Sequence, residues 1–110
     1  MQAGQLGWAQ TGFENWQPWF AALEAEILGQ LGMHEQALQR TDEQLARIAA
    51  NGERQFESPL LAERAAALAA LPGRRGEAAE IFEQAAALAR TQGAVAWVER
   101  SARRRELAIG

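Results

Sequence analysis

Few side chains in this sequence are of types that perform chemistry. His34 is the only imidazole, and Asp42, Ser58 and Ser101 are the remaining parts from which a catalytic triad could be built. A triad needs a nucleophile, a base and an orienting acid within reach of one another. Ser58, however, precedes Pro59, a pair typical of a helix start at which the serine caps a backbone amide. We therefore interpret His34 as an ordinary surface histidine and Ser58 as an N-cap.

The residue types that are absent narrow the chemistry further. The chain has no cysteine and no tyrosine, and all 11 of its basic residues are arginine. This composition excludes thiolate nucleophiles, cysteine-based zinc sites, Schiff-base lysines and the lysine of a phosphate-binding loop. We expect no enzymatic activity, no metal site and no cofactor.

The distribution of charged residues along the sequence indicates a solvated surface rather than a nucleic-acid-binding site. Glu77, Glu80 and Glu83 follow one face of a predicted helix, opposite its apolar residues. The one basic patch, at positions 100 and 103–105, is diluted by glutamates, and the formal net charge is −3. We expect a cytoplasmic protein that binds neither nucleic acid nor membrane, because no apolar run approaches the length of a membrane span.

Composition determines the class of element that must position these residues. Alanine contributes 25 residues, leucine 12 and glutamine 11, whereas valine contributes 2. Since alanine, leucine and glutamine favour helices and β-branched residues favour strands, the sequence predicts an all-α fold.

An internal repeat organises the predicted helices. Shifting the sequence by 41 residues aligns Pro18 with Pro59, and it also aligns two pairs of glycines at plausible helix ends, Gly32 with Gly73 and Gly52 with Gly93. A fixed period of this size is typical of arrays of helix pairs. A shorter signature, a glycine followed four residues later by an aromatic residue, recurs at Trp16, Phe56 and Trp97.

This pattern predicts five or six helices in one domain over residues 1–110. Residues 1–15 are expected to end a preceding helical unit, with repeats at 16–52 and 53–93 and a partial repeat or capping helix at 94–110. Within the repeats, the predicted helices begin at Gln17–Pro18, Met33, Ser58–Pro59 and Arg74 and end at glycines or just before them.

The second helix of the second repeat carries a family resemblance. Gly73, Ala78, Phe82 and Ala85 have the spacing of the second-helix core of a tetratricopeptide repeat. The chain resembles a tetratricopeptide-like array whose period is longer than the usual 34 residues. It is similar to the repeat region at the C-terminal end of large bacterial signalling ATPases, including maltose-activator-type transcription regulators with a LuxR-like DNA-binding domain.

The first repeat matches this motif less completely. Gly32 and Ala37 fit, but Thr41 and Gln44 stand where the aromatic residue and the second alanine are expected. We interpret the first copy as degenerate.

The resemblance implies a right-handed solenoid of antiparallel helix pairs whose first helices line a concave binding face. The residues it places on that face and that we expect to contact a partner are Trp19, Glu26, Gln30, Leu60, Glu63 and Arg104. It implies a protein or peptide partner and a role as an interaction scaffold in a bacterial signalling or transcription regulator. The alternative is a sensor module that binds a small inducer between the first helices.

Aromatic residues crowd the N-terminal end of the chain. Trp8, Phe13, Trp16 and Phe20 would form an exposed apolar patch if no further repeat covered them. This predicts self-association as a homodimer through that end.

Overall fold

Five helices follow one another along the chain, joined by short turns. The computed structural model describes the backbone of residues 2–110 and the side chains of residues 16–110. The helices are α1 (Gln2–Gln30), α2 (His34–Asn51), α3 (Glu57–Ala69), α4 (Arg75–Thr91) and α5 (Val95–Ala108). The described backbone contains no strand, which confirms the all-α prediction.

Glycines make the turns at the positions that the repeat singled out. Gly32 and Gly73 have φ of 80° and 74°, and Gly52 and Gly93 have φ of 75° and 69°. This left-handed conformation is readily adopted by glycine and ends helices in a tight turn. The four predicted helix breaks are therefore confirmed.

The predicted helix start at Gln17–Pro18 is wrong, because α1 continues through Pro18 as one helix of 29 residues. A proline inside a helix removes one backbone hydrogen bond, which is why a break was expected. The apolar spacing of the sequence nevertheless crosses Pro18 without interruption, from Phe13 and Trp16 to Phe20. One continuous helix keeps Trp16 and Phe20 on a single face.

The predicted N-cap at Ser58 is also wrong. Helix α3 begins at Glu57, so Ser58 lies within its first turn, and Phe56 precedes the helix without a side-chain cap. The Ser58 hydroxyl instead donates to the backbone carbonyl of Ala85 on α4 at 2.8 Å. Ser58 therefore joins two helices, and its hydroxyl is committed to that contact.

The five helices form two layers. Helix α3 contacts both α1 and α5, so these three helices lie side by side in what we call the first layer. In the second layer, α2 contacts α1 and α3, and α4 contacts α3 and α5. Each second-layer helix therefore fills the groove between two neighbours of the first layer.

Small residues allow the layers to approach closely. The core between α3 and α4 is built from alanines around Leu68, Ile81 and Phe82, all of which are buried. Thr41 and Gln44, at the positions where the first repeat departs from the family motif, are buried as well. The Thr41 hydroxyl donates to the carbonyl of Leu38 at 2.9 Å, which satisfies its polar group inside the core.

Within the described residues, no helix has both the length and the apolar character needed to cross a membrane.

Candidate functional site

Two clusters of side chains connect the three helices of the first layer. The first, which we call the aromatic cluster, consists of Trp16 and Trp19 on α1, Phe56 just before α3, and Trp97 on α5. The second, the charge network, consists of Glu26 on α1, Glu63 on α3, and Arg100 and Arg104 on α5. Both clusters therefore bring together residues that are far apart in the sequence.

The aromatic cluster is a continuous set of ring contacts. Trp19 lies 5.0 Å from Trp97 and 6.2 Å from Phe56 between ring centroids. Phe56 also contacts Trp16 at 5.4 Å and Trp97 at 6.3 Å. Such tilted and edge-on contacts are the arrangements that aromatic rings prefer. The three aromatic residues of the glycine–aromatic signature thus meet at one point of the fold.

Glu63 is the centre of the charge network. Its side chain is only 1% exposed, and Arg104 donates to its two carboxylate oxygens from Nε and Nη2, each at 2.8 Å. Two parallel charge-assisted bonds of this kind fix both the position and the orientation of the two groups.

Arg100 extends the network to the third helix. Its Nη2 donates to Glu63 at 3.1 Å and to Glu26 at 2.7 Å. Its guanidinium carbon lies 5.3 Å from the centroid of the Trp19 ring, which adds a cation–π contact and joins the network to the aromatic cluster. The Arg100 Nε is buried and finds no hydrogen-bond partner among the described residues.

Burial dominates the electrostatics of Glu63. Loss of solvation raises the pKa of its carboxyl group, and the hydrogen bond and charge of Arg104, together with the charge of Arg100, only partly oppose that rise. The nearby charge of Glu26 adds to the increase. A carboxylate in this position holds the three helices together at the expense of its own solvation.

A cleft of about 300 Å³ lies beside the charge network. Its lining includes small residues from α1, α2, α3 and α5 and from the end of α3, namely Ala25, Gly29, Ala37, Ala66, Ala67, Ala70 and Ala108. The other lining residues have longer side chains, namely Glu26, Gln30, His34, Glu63, Arg104 and Leu107. A β-carbon added at Gly29 would meet no atom within 4 Å, so the cleft is open at that position.

The structure brings four of the six predicted partner-binding residues to this cleft: Glu26, Gln30, Glu63 and Arg104. Trp19 belongs to the aromatic cluster, and Leu60 is fully buried in the core with Ala21, Ala22 and Ile48. Neither of these two lines the cleft. A buried Leu60 offers no surface to a partner, so it is not part of the candidate site.

Two neighbours of the site were not expected from the sequence. His34 lines the cleft from the start of α2, although its sequence context suggested only an ordinary surface position. The sequence predicts Arg100 in a surface patch, whereas its side chain is 13% exposed and paired with two glutamates. The repeat offered a signal for the network, since Glu63 and Arg104 are 41 residues apart, which is one period.

The predicted basic patch is therefore not a single surface. Arg100 and Arg104 point into the charge network, and Arg105 pairs with Glu83 on α4 at 3.1 Å. Arg103 is exposed. Changing all four arginines should consequently lower stability, because two of them hold a buried carboxylate.

The residues expected at the self-association end are only partly within the described side chains. Trp8 and Phe13 lie outside them, whereas Trp16 and Phe20 are 51% and 49% exposed. The described end therefore presents aromatic surface to solvent.

The remaining chemically capable groups are dispersed or already engaged. The Ser101 hydroxyl donates to the carbonyl of Phe82 at 3.3 Å, as Ser58 does to Ala85. Among the described residues, no three histidine or acidic side chains are grouped as metal ligands.

Comparisons with protein-family models, curated proteins and solved structures find no match to this chain.

Proposed function

We propose that this protein is a binding module without catalytic activity, which holds a peptide segment of a protein partner in the cleft between α1, α3 and α5. The observation that carries this proposal is the convergence of Glu26, Gln30, Glu63 and Arg104 on one cleft. The resemblance predicts these residues at a binding site, because first helices line the binding face of tetratricopeptide-like arrays. Their meeting at one open cleft supports that use of the face.

Contacts between residues one period apart support the 41-residue repeat on which the proposed binding face depends. Glu63 pairs with Arg104, and Phe56 contacts Trp97; the members of each pair differ by 41 positions. In stacked repeats, each unit contacts the units next to it, so contacts between equivalent positions are expected. We therefore propose a tetratricopeptide-like solenoid with a period of about 41 residues.

The chemistry of the cleft favours a peptide as the occupant. The alanines and the glycine that line it leave room for side chains that project from a partner, and apolar anchors of this kind supply most of the affinity in peptide grooves. Gln30 and the partly exposed Glu26 stand at its edge, where they can bond to backbone or polar groups.

Two glycines provide a matched test of the cleft. Gly29 lines it, whereas Gly76 lies on α4 and does not, and a β-carbon at either position meets nothing within 4 Å. Peptides selected from a displayed random library on the wild-type protein should bind Gly76→Phe unchanged. Binding to Gly29→Phe should weaken by roughly tenfold or more, because the new ring occupies the cleft. Equal binding by both variants, measured by fluorescence anisotropy, would place the peptide site elsewhere.

A small-ligand sensor is the second candidate function, and the size of the cleft favours it. A volume of about 300 Å³ lies at the lower end of the range for small-molecule pockets. A metabolite that binds there should raise the melting temperature of the wild type and of Gly76→Phe, but not that of Gly29→Phe.

The family resemblance also supports the wider setting. We propose that the module belongs to a bacterial signalling or transcription regulator of the cytoplasm, in which other parts supply nucleotide hydrolysis or DNA binding. We further propose that it self-associates through its aromatic end. Sedimentation of the full chain tests this second point independently of peptide binding.

A further inference from the structure

The connection between α2 and α3 begins with the dipeptide Asn51–Gly52. Asn51 is the last residue of α2, and Gly52 follows it in the left-handed conformation, with φ of 75°. Both residues are exposed, and a β-carbon built on Gly52 would meet no atom within 4 Å. Water therefore reaches this dipeptide.

An asparagine followed by a glycine is able to modify itself. The backbone nitrogen of the glycine gives up its proton and attacks the side-chain carbonyl carbon, Cγ, of the asparagine. The new C–N bond closes a five-membered succinimide ring, and the side-chain nitrogen leaves with that proton as ammonia. Water then opens the ring at either carbonyl, which gives aspartate or isoaspartate. Glycine favours the attack because it has no β-carbon to crowd the nitrogen and rotates freely about φ.

Two hydrogen bonds engage the reacting groups in the native turn. The N–H of Gly52, whose proton must be lost for the attack, donates to the carbonyl of Ile48 at 2.8 Å. The Oδ1 of Asn51 accepts from the N–H of Glu53, also at 2.8 Å. The closed turn therefore protects Asn51, and the reaction requires the last turn of α2 to open. Helix ends open at the low end of the free-energy range of local unfolding.

We propose that Asn51 is a site of spontaneous deamidation whose rate is controlled by opening of the last turn of α2. The product adds a negative charge at the C-terminal end of α2, where the helix dipole disfavours one. Isoaspartate also adds a carbon atom to the main chain ahead of Phe56, a member of the aromatic cluster. The modification therefore acts on the connection that joins α2 to α3, whatever the cleft binds.

The repeat supplies a comparison within the chain. One period after Asn51–Gly52 stands Gln92–Gly93, at the end of α4, and Gly93 has φ of 69°. The same attack on a glutamine must close a six-membered ring, which forms far more slowly. The two dipeptides end equivalent helices but differ in reactivity, and Asn51→Gln is therefore the matched control.

The first experiment establishes the site. The full chain is kept at neutral pH and physiological temperature, either folded or in urea, and the tryptic peptide of residues 48–54 is analysed by mass spectrometry. An isoaspartate-specific methyltransferase labels the isoaspartate product. Asn51 should react in both states, roughly tenfold or more faster in urea, because unfolding removes the hydrogen bond of Gly52. Asn51→Gln should stay unmodified.

The second experiment tests control by the last turn. Ala50 is exposed in that turn, and Ala50→Gly weakens it because glycine disfavours helix. The variant should deamidate roughly fivefold faster than the wild type when folded and at the same rate in urea. Ala87→Gly makes the same change at an exposed position of α4 and should leave both rates unchanged.

The possible results separate the site from its control. An Asn51 that stays intact in urea would overturn the site itself. An Asn51 that reacts in urea but never in the folded protein would overturn modification of the native state. Equal rates in the two states, or equal rates for folded Ala50→Gly and wild type, would overturn control by the last turn of α2.

Discussion

The aromatic cluster and the charge network join the same three helices, but removal from water has opposite effects on the stability of the two clusters. In the aromatic cluster, Trp19, Phe56 and Trp97 gain stability by leaving water, and each contact adds to the others. In the charge network, Glu63 loses solvation that only its pairing with Arg100 and Arg104 offsets. One cluster therefore tolerates partial change, whereas the other depends on all of its members.

This difference indicates that the two clusters have separate structural roles within the first layer. Apolar contacts are not directional, so rings near the starts of α3 and α5 can hold these helices together without fixing their exact register. The paired bonds between Arg104 and Glu63 require one relative position of α3 and α5. Because Glu63 and Arg104 also line the cleft, we infer that the network sets the shape of the cleft.

The largest expected effect comes from removing the centre of the network. Glu63→Leu leaves Arg100 and Arg104 without their common acceptor, and breaking a buried pair costs about 3–5 kcal/mol. Both arginines retain some exposure, at 13% and 17%, so we expect a loss of about 3 kcal/mol. Urea denaturation followed by circular dichroism measures the free energy of unfolding.

Two further variants show whether burial causes this loss. Glu83→Leu removes an exposed partner of Arg105 and should cost less than about 1 kcal/mol. Adding Arg100→Leu and Arg104→Leu to Glu63→Leu should restore most of the lost stability, because the carboxylate that then loses its arginine, Glu26, is partly exposed and retains solvation. If Glu63→Leu cost no more than Glu83→Leu, the contrast between the two clusters would be lost.

A smaller and graded effect is expected in the aromatic cluster. Trp97→Ala should cost about 2 kcal/mol, below the 3–5 kcal/mol of a fully buried ring, because Trp97 is only partly buried. Trp97→Phe should cost less than about 1 kcal/mol, since it keeps a ring in contact with Trp19 and Phe56. Thermal denaturation of the two variants tests this order. A loss as large in Trp97→Phe as in Trp97→Ala would show that the cluster is not graded.

The sequence predicts the elements of this fold better than it predicts the contacts between them. The turns at Gly32, Gly52, Gly73 and Gly93 follow from local chemistry, because glycine readily takes the left-handed conformation that each turn uses. The same local chemistry predicts a helix start at Pro18 and is wrong there, since the apolar pattern on both sides of Pro18 favours one helix. Local rules thus fail where two of them compete.

The candidate site shows a second limit. Helical periodicity and the family resemblance place Glu26, Glu63 and Arg104 on first helices, and the structure gathers them at the cleft. Periodicity cannot tell that Glu63 is buried or that Leu60 belongs to the core, because burial depends on which helices lie on either side. The pairing of Arg100 with Glu26 joins residues 74 positions apart, and neither the spacing nor the composition signals it.

The smallest expected effect is the pH dependence of the network. Because burial raises the pKa of Glu63, the folded protein binds the proton of the Glu63 carboxyl group more tightly than the unfolded chain does. The stability that this proton contributes is complete below the ordinary carboxyl pKa and is lost as the pH rises through the raised value. The free energy of unfolding of the wild type, relative to that of Glu63→Gln, should therefore fall as the pH rises through the carboxyl range.

Glu77 provides a control of opposite sign. Its exposed carboxylate accepts a hydrogen bond from Arg74, which lowers the pKa of Glu77. Its contribution is present above the ordinary carboxyl pKa and is lost as the pH falls. Urea denaturation at each pH should thus give slopes of opposite sign for Glu63→Gln and Glu77→Gln, each taken relative to the wild type. Slopes of the same sign would mean that water reaches Glu63, and that the charge network is a surface ion pair whose register the aromatic cluster determines.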